Sequence, residues 1–156
     1  MAHLQHSLHI DAPVDKIDEI VGDPTQWSHF WIGMAEPTKI EGEGGPGTSS
    51  EFDLITFGIR QHEVSHTIEE RHHPDGSTHW RWEFEGTTHG WLTCDHLPKE
   101  GGTDIHTEFE YNIPGSVFGR VADILVLERI QRRDFENSLE NIKVLAESAV
   151  NAMTPA

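Results

Sequence analysis

Two periods of hydrophobic residues divide the chain into a strand-forming part and a C-terminal helix. Along most of the chain apolar and polar residues alternate, as Leu4, Leu8 and Ile10 do with their polar neighbours, which is the period of a half-buried β-strand. From Val117 to about Ser148 apolar residues recur instead every three or four positions, as in an amphipathic helix. About 32 residues with a rise of 1.5 Å each predict a helix of roughly 48 Å. Such a helix needs a wide, curved sheet across which to lie.

Six further segments show the alternation of strands and are separated by turns. They span about residues 36–41, 52–57, 60–71, 78–85, 89–97 and 105–111. Turns such as Pro74-Asp75-Gly76 and Gly101-Gly102 are too short for a crossover, so the strands are predicted to pair antiparallel. After the first strand, Ala12-Pro13 and Asp23-Pro24 each begin a short helix, because proline suits a first helical turn and aspartate caps one. The prediction is a single α+β domain over residues 1–156.

Alternation within each strand also predicts which side chains face the long helix. On the 60–71 strand, the even-numbered residues Val64 and His66 are assigned to this inner face because they share it with Ile68. The inner face of the other strands is predicted to carry Phe52, Leu54, Trp80, Trp82, Phe84, Leu92, Phe109 and Tyr111. The carboxylates are predicted to take the outer, solvated face: Glu63, Glu69, Glu83, Glu85, Glu108 and Glu110.

The charge of the chain narrows the classes of partner. Acidic residues number 27 and basic ones 11, and the formal net charge of −16 at pH 7 argues against binding to nucleic acid or to an anionic membrane. No apolar run approaches the roughly 18 residues of a membrane span, and the N-terminus lacks the basic and apolar regions of a signal peptide. The one cysteine, Cys94, excludes an intramolecular disulfide. A cytoplasmic protein without stable membrane insertion is expected.

Several short segments, taken in order, resemble one protein superfamily. They are Ile10-Asp11-Ala12-Pro13, Asp23-Pro24 followed by Trp27 and Trp31, the glycine-rich loop 42–47, Gly101-Gly102-Thr103 and Asn141-Ile142-Lys143. From about Leu4 to Glu147 the chain resembles the START and Bet v 1-like (SRPBCC) superfamily, and within it the polyketide cyclase/dehydrase and lipid transport branch. The resemblance implies a helix-grip fold, in which a curved seven-stranded antiparallel sheet wraps around the C-terminal helix and leaves a hydrophobic cavity. Members bind lipids, sterols, hormones or aromatic polyketides; some catalyse cyclisation or aromatisation, and others activate chaperones.

The inner-face residues and the resemblance together predict a site for a small hydrophobic, aromatic or lipid-like molecule. Its candidate residues are Trp31, Phe52, Leu54, Val64, His66, Trp80, Trp82, Phe84, Leu92, Phe109, Tyr111, Val121 and Leu125. His66 and Tyr111 are the polar groups expected to orient the ligand. The leading hypothesis is a carrier or sensor. The alternative is a cyclase or aromatase-type enzyme, in which His66 removes a proton beside a carbonyl and Tyr111 donates to the enolate. A protein-interaction module would instead expose an apolar patch.

Three motifs suggest other chemistry, and their surroundings argue against it. The glycine-rich loop 42–47 fits a dinucleotide fingerprint, but a strand follows where a helix is needed, so a hairpin loop is predicted. His62 and His66 lie about 13 Å apart on a strand, too far to share a metal ion. Leu92, Cys94 and His96 are assigned to the inner face of their strand, where Cys94 and His96 lie about 7 Å apart and are predicted to be beyond hydrogen-bond reach. No metal, cofactor or thiol nucleophile is therefore expected, and both a monomer and a homodimer remain open.

Overall fold

A seven-stranded sheet, two short helices and one long helix make up the described part of the chain. The structure is a computed structural model that describes residues 1–112, 115 and 124–153. Its strands are β1 (Ala2–Ile10), β2 (Lys39–Glu41), β3 (Ser49–Thr56), β4 (Ile59–His72), β5 (Thr78–Gly86), β6 (Gly90–Lys99) and β7 (Gly102–Tyr111). The helices are α1 (Val14–Val21), a 3₁₀ helix (Pro24–His29) and α2 (Ile124–Met153). The predicted α+β class and element order are confirmed. The predicted beginning of the long helix, residues 117–123, lies outside the described residues.

All neighbouring strands run antiparallel, in the order β1-β7-β6-β5-β4-β3-β2. β1 pairs with β7, so the first strand of the chain lies beside the last. The inner face of the sheet packs against Ile17 of α1 and against Leu139 and Ile142 of α2, which are all nearly inaccessible to solvent. The two short helices and the long helix therefore share one hydrophobic core with the sheet. None of the described helices is both long and apolar enough to cross a membrane.

The short helices begin where the sequence predicts. Pro13 precedes α1, and Asp23 caps the 3₁₀ helix because its Oδ1 accepts hydrogen bonds from the Thr25 amide at 3.0 Å and the Thr25 hydroxyl at 2.7 Å. The indole Nε1 of Trp27 donates to the carbonyl of Val21 at 2.9 Å. This bond ties the 3₁₀ helix to the end of α1 and places Trp27 over the core.

Two glycines allow segments to approach closely around α1. A Cβ atom at Gly22, just after α1, would lie 2.6 Å from the ring of Trp80, so only glycine lets this tryptophan pack there. The loop 42–47 joins the antiparallel strands β2 and β3, as predicted for a hairpin loop. Within it Gly44 has a φ of +107°, and a Cβ atom there would lie 2.5 Å from the carbonyl oxygen of Gly22. The loop is thereby held against the end of α1.

A β-bulge in β4 changes which of its side chains face the long helix. Near the turn into β5, Glu70 pairs with Trp80, whereas past the bulge Thr67 pairs with Trp82. The strand β4 thus advances by three residues where β5 advances by two. Ile68 occupies the irregular step, and 40% of its surface is exposed. Because side chains alternate along a strand, one extra residue moves all those beyond it to the opposite face.

The prediction that the even-numbered residues of β4 face the helix is therefore wrong for the part of β4 beyond the bulge. Val64 and His66 lie on the outer face, where His66 Nε2 is 3.1 Å from Glu85 Oε1. Conversely Glu63, which was predicted to be solvated, lies on the inner face with only 1% of its surface exposed. The bulge thus replaces a predicted apolar and histidine-bearing wall with a polar one.

Histidines and carboxylates lie side by side on the outer face of the sheet. The pairs within 4 Å include His3–Glu110, His9–Asp104, His62–Asp53, His66–Glu85, His79–Asp95 and His106–Glu108. Hydrogen bonds to Asp104 at 2.7 Å and to Asp53 at 3.1 Å raise the pKa of His9 and of His62, respectively, above 6.5. Protonated histidines on this face offset part of the large negative charge.

Replacing His9 by glutamine is expected to lower the melting temperature at pH 6 and to change it little at pH 8.5. A histidine whose pKa is raised by folding stabilises the folded state fully below its ordinary pKa of 6.5, and this contribution is lost as the pH rises through the folded-state pKa. Thermal unfolding of both proteins at both pH values checks the prediction. His29→Gln serves as the control, because the ring of His29 contacts the amide of Gln26. An equal loss from His9→Gln at both pH values would contradict the charge-based explanation.

Candidate ligand-binding cavity

A cavity lies between the inner face of the sheet and the long helix. Its volume is about 300 Å³, at the lower end of the range for small-molecule sites. Helix α2 contributes Gln131, Phe135, Ser138 and Ile142, which recur at helical spacing and so share one face. Inner-face side chains of the sheet, Val21 at the end of α1 and residues in and just after the 3₁₀ helix contribute further lining.

Aromatic rings connect the sheet to the helix across the cavity wall. On the sheet, the ring of Phe109 stacks on Tyr111 with centroids 4.5 Å apart and meets Phe84 edge-on at 5.8 Å. Phe135 of α2 lies parallel to Phe109 at 6.2 Å and to Trp31 at 6.2 Å. These rings offer flat apolar surfaces on which a ligand with rings or an acyl chain can bury its own surface.

Gln61 and Glu63 of β4 form a polar wall of the cavity, and Trp82 of β5 lies about 20 Å along the sheet from Gln61, because it pairs with Thr67. Gln61 and Trp82 are 4% and 3% exposed, and Gln61 Nε2 and Trp82 Nε1 have no hydrogen-bond partner among the described residues. Ser50 and Ser65, on the inner faces of β3 and β4, each carry a buried hydroxyl that also has no hydrogen-bond partner among the described residues. Buried donors are nearly always paired in native proteins. A ligand that carries an oxygen acceptor would supply the missing partner.

Glu63 brings an ionisable group to the polar wall. Both of its carboxylate oxygens lie 3.0 Å from the amide nitrogen of Thr88, which donates to them. Burial raises the pKa of Glu63 above 4.5, since desolvation disfavours the carboxylate more than the Thr88 amide stabilises it. The cavity therefore contains a carboxyl group that can take up or release a proton beside a bound molecule.

Cys94, His96 and Asp18 form a hydrogen-bonded chain beside the cavity. Cys94 Sγ is 3.0 Å from His96 Nε2, and His96 Nδ1 is 2.7 Å from Asp18 Oδ1. The prediction that Cys94 and His96 lie beyond hydrogen-bond reach is wrong. Their backbone positions are two residues apart on one face of the strand, but their side chains extend towards each other and bring the sulfur and Nε2 into contact. Thr107 Oγ1, on the neighbouring strand β7, is 3.2 Å from the sulfur. Cys94 and Thr107 line the cavity.

Asp18 is the charged anchor of this chain of groups. Its Oδ1 also accepts hydrogen bonds from Thr78 Oγ1 at 2.7 Å and Trp80 Nε1 at 3.0 Å. Burial disfavours the carboxylate, but the hydrogen bonds from His96, Thr78 and Trp80 outweigh it and hold the pKa of Asp18 below 3.8. Burial likewise disfavours the charged form of His96, yet the adjoining Cys94 sulfur and Asp18 carboxylate raise the pKa of His96 above 6.5. The network thus holds a positively charged imidazole next to the thiol.

Tyr111 links the sheet to the helix at the cavity wall. Its hydroxyl donates a hydrogen bond to Gln131 Oε1 at 2.7 Å. Burial raises the pKa of Tyr111 above its ordinary value of 10.0, so its phenol stays protonated at neutral pH. The tyrosine hydroxyl therefore already has an acceptor within the protein, unlike the indole of Trp82.

Most of the residues predicted to contact a ligand do line the cavity. They are Trp31, Phe52, Leu54, Trp82, Phe84, Leu92, Phe109 and Tyr111. Sequence reasoning did not place Gln61 and Glu63 there, because the alternation of β4 contains no sign of the bulge. Sequence reasoning assigned Cys94 to the inner face correctly. It did not predict that Asp18, which is distant in sequence, would contact His96 and so connect to Cys94. Contact of the lining residues with a ligand stays a prediction.

Four predicted residues lie elsewhere, and a fifth is not described. The bulge places Val64 and His66 on the outer face. Trp80 is buried on the inner face, but it packs beside α1 and not at the cavity. Leu125 is 65% exposed, because the cavity-lining part of α2 begins further along the helix. Val121 lies outside the described residues. Within the described part of the chain, no group of three or more His, Cys, Asp or Glu side chains is arranged to hold a metal ion.

An open antiparallel sheet that grips a long helix, with a cavity between them, defines the helix-grip class of fold. The chain belongs to the polyketide cyclase/dehydrase and lipid transport family, whose sequence model matches residues 1–147. The superfamily predicted from the sequence is thereby confirmed. No curated protein sequence matches the chain.

Solved structures share the fold at low sequence identity. The Zhui aromatase/cyclase from Streptomyces sp. R1128 is 16% identical with a TM-score of 0.71, and the match covers 99% of each chain. The protein TTHA0849 from Thermus thermophilus is 15% identical with a TM-score of 0.70, over 98% of this chain and 100% of the other. Truncated norcoclaurine synthase from Thalictrum flavum is 17% identical with a TM-score of 0.59, over 92% of each chain. At these identities the similarities show the fold alone.

Proposed function

We propose that the protein binds, and so carries or senses, a small apolar or aromatic molecule that bears an oxygen acceptor. The observation that carries this proposal is the cavity of about 300 Å³, whose lining combines aromatic rings with two residues that carry unpartnered donors, Gln61 Nε2 and Trp82 Nε1. The family's description, which joins polyketide cyclases and dehydrases to lipid transport, supports a ligand of this kind.

The two walls of the cavity have separate roles in this proposal. Burial of ligand surface against Phe84, Phe109 and Phe135 supplies affinity at roughly 25 cal/mol per Å², less the cost of immobilising the ligand. The donors on Gln61 and Trp82 supply orientation and selectivity, since a ligand without an acceptor leaves them unpaired. Hydrocarbons should therefore bind more weakly than ketones, phenols or acids of the same shape.

Native mass spectrometry of freshly purified protein tests the proposal directly. We expect a copurified small molecule that is released on denaturation, and the same spectrum reports whether the protein is a monomer or a homodimer. Protein stripped of this molecule is expected to bind the apolar fluorophore N-phenyl-1-naphthylamine at one site, with displacement by aromatic ketones. Absence of both the copurified molecule and fluorophore binding would refute a ligand-binding role.

A second candidate function, an enzyme of cyclase type, is favoured by the buried carboxyl of Glu63. Cyclisation of a polyketone requires removal of a proton beside a carbonyl and stabilisation of the resulting enolate. The predicted base, His66, lies on the outer face and cannot reach the cavity. Glu63 lines the cavity and has a raised pKa, which suits a general base, and the donor on Gln61, two residues away on the same face of β4, suits the enolate oxygen.

Replacing Glu63 by glutamine separates the two candidate functions. If the protein is a cyclase-type enzyme, the wild type should accelerate deuterium uptake next to the carbonyl of the aromatic ketone α-tetralone. Glu63→Gln should then lower this rate by about a hundredfold or more, the typical contribution of a general base. Proton NMR in D₂O measures the exchange, and His66→Gln is the control, since it changes a titratable residue on the opposite face of the same strand. Binding of α-tetralone without accelerated exchange would leave the carrier or sensor role.

A further inference from the structure

We propose that Cys94 is a nucleophile that captures apolar α,β-unsaturated carbonyl compounds in the cavity as covalent thioethers. This goes beyond reversible binding, and it rests on the proposed function only in that the electrophile must enter the same cavity. The chain has one cysteine, so a thiol adduct can form at one position only.

The arrangement around Cys94 has the parts of an activated thiol. His96 Nε2 lies 3.0 Å from the sulfur, so its charged ring can pair with a thiolate, and Asp18 Oδ1 holds the other ring nitrogen at 2.7 Å. A nucleophile, a histidine and an acid that orients the histidine make up a general pattern of nucleophilic catalysis. Thr107 Oγ1, at 3.2 Å from the sulfur, can donate a hydrogen bond that stabilises the thiolate.

The cavity determines which electrophiles can reach the sulfur. Cys94 is 3% exposed yet lines the cavity, so a reagent must fit between the sheet and α2 to approach it. Trp82, a diagonal neighbour of Cys94 across β5 and β6, carries the unpartnered donor Nε1 and is more than nine-tenths buried. An N–H donor favours a ligand with an oxygen acceptor, and the aromatic walls favour an apolar ligand. A conjugated ketone, aldehyde or imide combines both features with an electrophilic carbon.

The chemical step needs no further reactant. Cys94 reacts as a thiolate paired with the His96 imidazolium, and its sulfur bonds to the β-carbon of the electrophile. The carbon–carbon π bond breaks and its electrons move to the carbonyl oxygen, which becomes an enolate that the Trp82 donor can stabilise. His96 then gives its Nε2 proton to the α-carbon and becomes neutral. The thiol has added across the double bond, and nothing is oxidised or reduced overall.

A purely structural role of the same residues predicts the opposite reactivity. In that case the hydrogen bonds of Asp18 and His96 only hold α1 against β5 and β6, and a buried cysteine is protected from reagents. The two explanations differ in whether folding accelerates or slows the reaction of the thiol with a small apolar electrophile.

Intact-mass measurement of labelling by N-phenylmaleimide distinguishes them. This probe is an apolar conjugated imide of a size that suits the cavity. We expect folded protein to form one adduct at least about tenfold faster than the same chain unfolded in urea, since a thiolate reacts where a thiol does not. A maleimide attached to a 5 kDa polyethylene glycol should label only the unfolded chain, and Cys94→Ser should give no adduct. Saturation with N-phenyl-1-naphthylamine should slow labelling of the folded wild type.

Two substitutions test the groups that touch the sulfur or its proton. His96→Gln should slow labelling by about a hundredfold, because it removes both the charge that pairs with the thiolate and the group that donates the proton. Thr107→Val should slow it by up to about tenfold through loss of one hydrogen bond to the thiolate. Thr93→Val makes the same change on the outer face of β6, next to Cys94, and should leave the rate unaltered. If His96→Gln fails to fold, comparison of Thr107→Val with Thr93→Val still tests whether the groups around the sulfur increase its reactivity.

The possible outcomes separate this proposal from the proposed function. If the fluorophore binds but folded protein is labelled no faster than unfolded protein, Cys94 is not an activated nucleophile and reversible binding stands. Equal rates for Thr107→Val and Thr93→Val would also overturn the assignment of the site. If the fluorophore does not bind while labelling is fast and depends on His96, the nucleophile stands and the carrier or sensor role fails.

Discussion

Replacement of Asp18 by alanine is expected to lower the free energy of unfolding by about 3–5 kcal/mol, because it leaves the buried imidazole of His96 without its counter-charge. The Oδ1 atom that it removes also accepts hydrogen bonds from Thr78 and Trp80, so two further buried donors lose their partner. A loss of this size is a large fraction of the about 5–15 kcal/mol that stabilises a typical domain. Urea unfolding at pH 6 measures it.

The pH dependence of this loss identifies its cause. Folding lowers the pKa of Asp18 below 3.8 and raises that of His96 above 6.5. The contribution of Asp18 is therefore lost as the pH falls through its folded-state pKa, and that of His96 is lost as the pH rises through its folded-state pKa. The difference between wild type and Asp18→Ala should be greatest between about pH 4 and 6.5 and smaller under alkaline conditions. Asp15→Ala, on the exposed side of α1, is the control; a comparable loss there, or one independent of pH, would rule out the ion pair as the cause.

Replacement of Trp82 separates the packing role of the indole from its role as a hydrogen-bond donor. Trp82→Ala removes a ring that stacks on Trp80 at 5.5 Å and meets Trp27 edge-on at 6.2 Å, and should cost about 3–5 kcal/mol of stability. Trp82→Phe keeps most of this packing and removes an N–H group that lacks a partner, so the empty protein should lose little stability or gain some. Chemical denaturation of the three proteins tests both expectations.

Ligand affinity should respond to Trp82→Phe in a selective way. An aromatic ketone should bind about 1–3 kcal/mol more weakly because its oxygen loses a donor in a buried site, whereas an aromatic hydrocarbon of the same shape should bind equally well. Isothermal titration with both compounds measures the difference. Trp91→Phe is the matched control, since Trp91 lies on the outer face beneath the guanidinium of Arg81. Equal weakening of the two ligands would show that the substitution altered the shape of the cavity.

The fold was predictable because its signals are local. Alternation marks the strands, Pro74-Asp75-Gly76 and Gly101-Gly102 mark turns, and the change to helical spacing marks the long helix. Antiparallel hairpins follow from short turns, so the order of the strands needs little long-range information. The aromatic half of the cavity wall, on β5 to β7, follows from the same alternation.

The polar half of the cavity depends on features that the sequence does not display. The bulge shifts the alternation of β4 by one residue, and nothing in the residue types signals this shift. Because Val64 and Ile68 are apolar whereas Gln61 and Glu63 are polar, the sequence indicates the wrong inner face. The partnership of His96 with Asp18 joins residues that are 78 positions apart, and no periodicity records such a pairing. Strand spacing describes backbones, so it also missed the approach of Cys94 to His96.

The bulge at Ile68 makes the loss of a residue unequal along the sheet. Ile68 is the extra residue of the bulge and is largely exposed, so most amino acids should be accepted there. Loss of its codon would leave Thr67 paired with Trp82 and Glu69 with Arg81 in a regular ladder, and every other side chain of β4 would keep its face. In contrast, β6 pairs regularly with both of its neighbours, so loss of a codon there would turn one end of the strand over. Among descendants of this gene, codon 68 should therefore accept both substitution and deletion, whereas the codons of β6 should resist deletion.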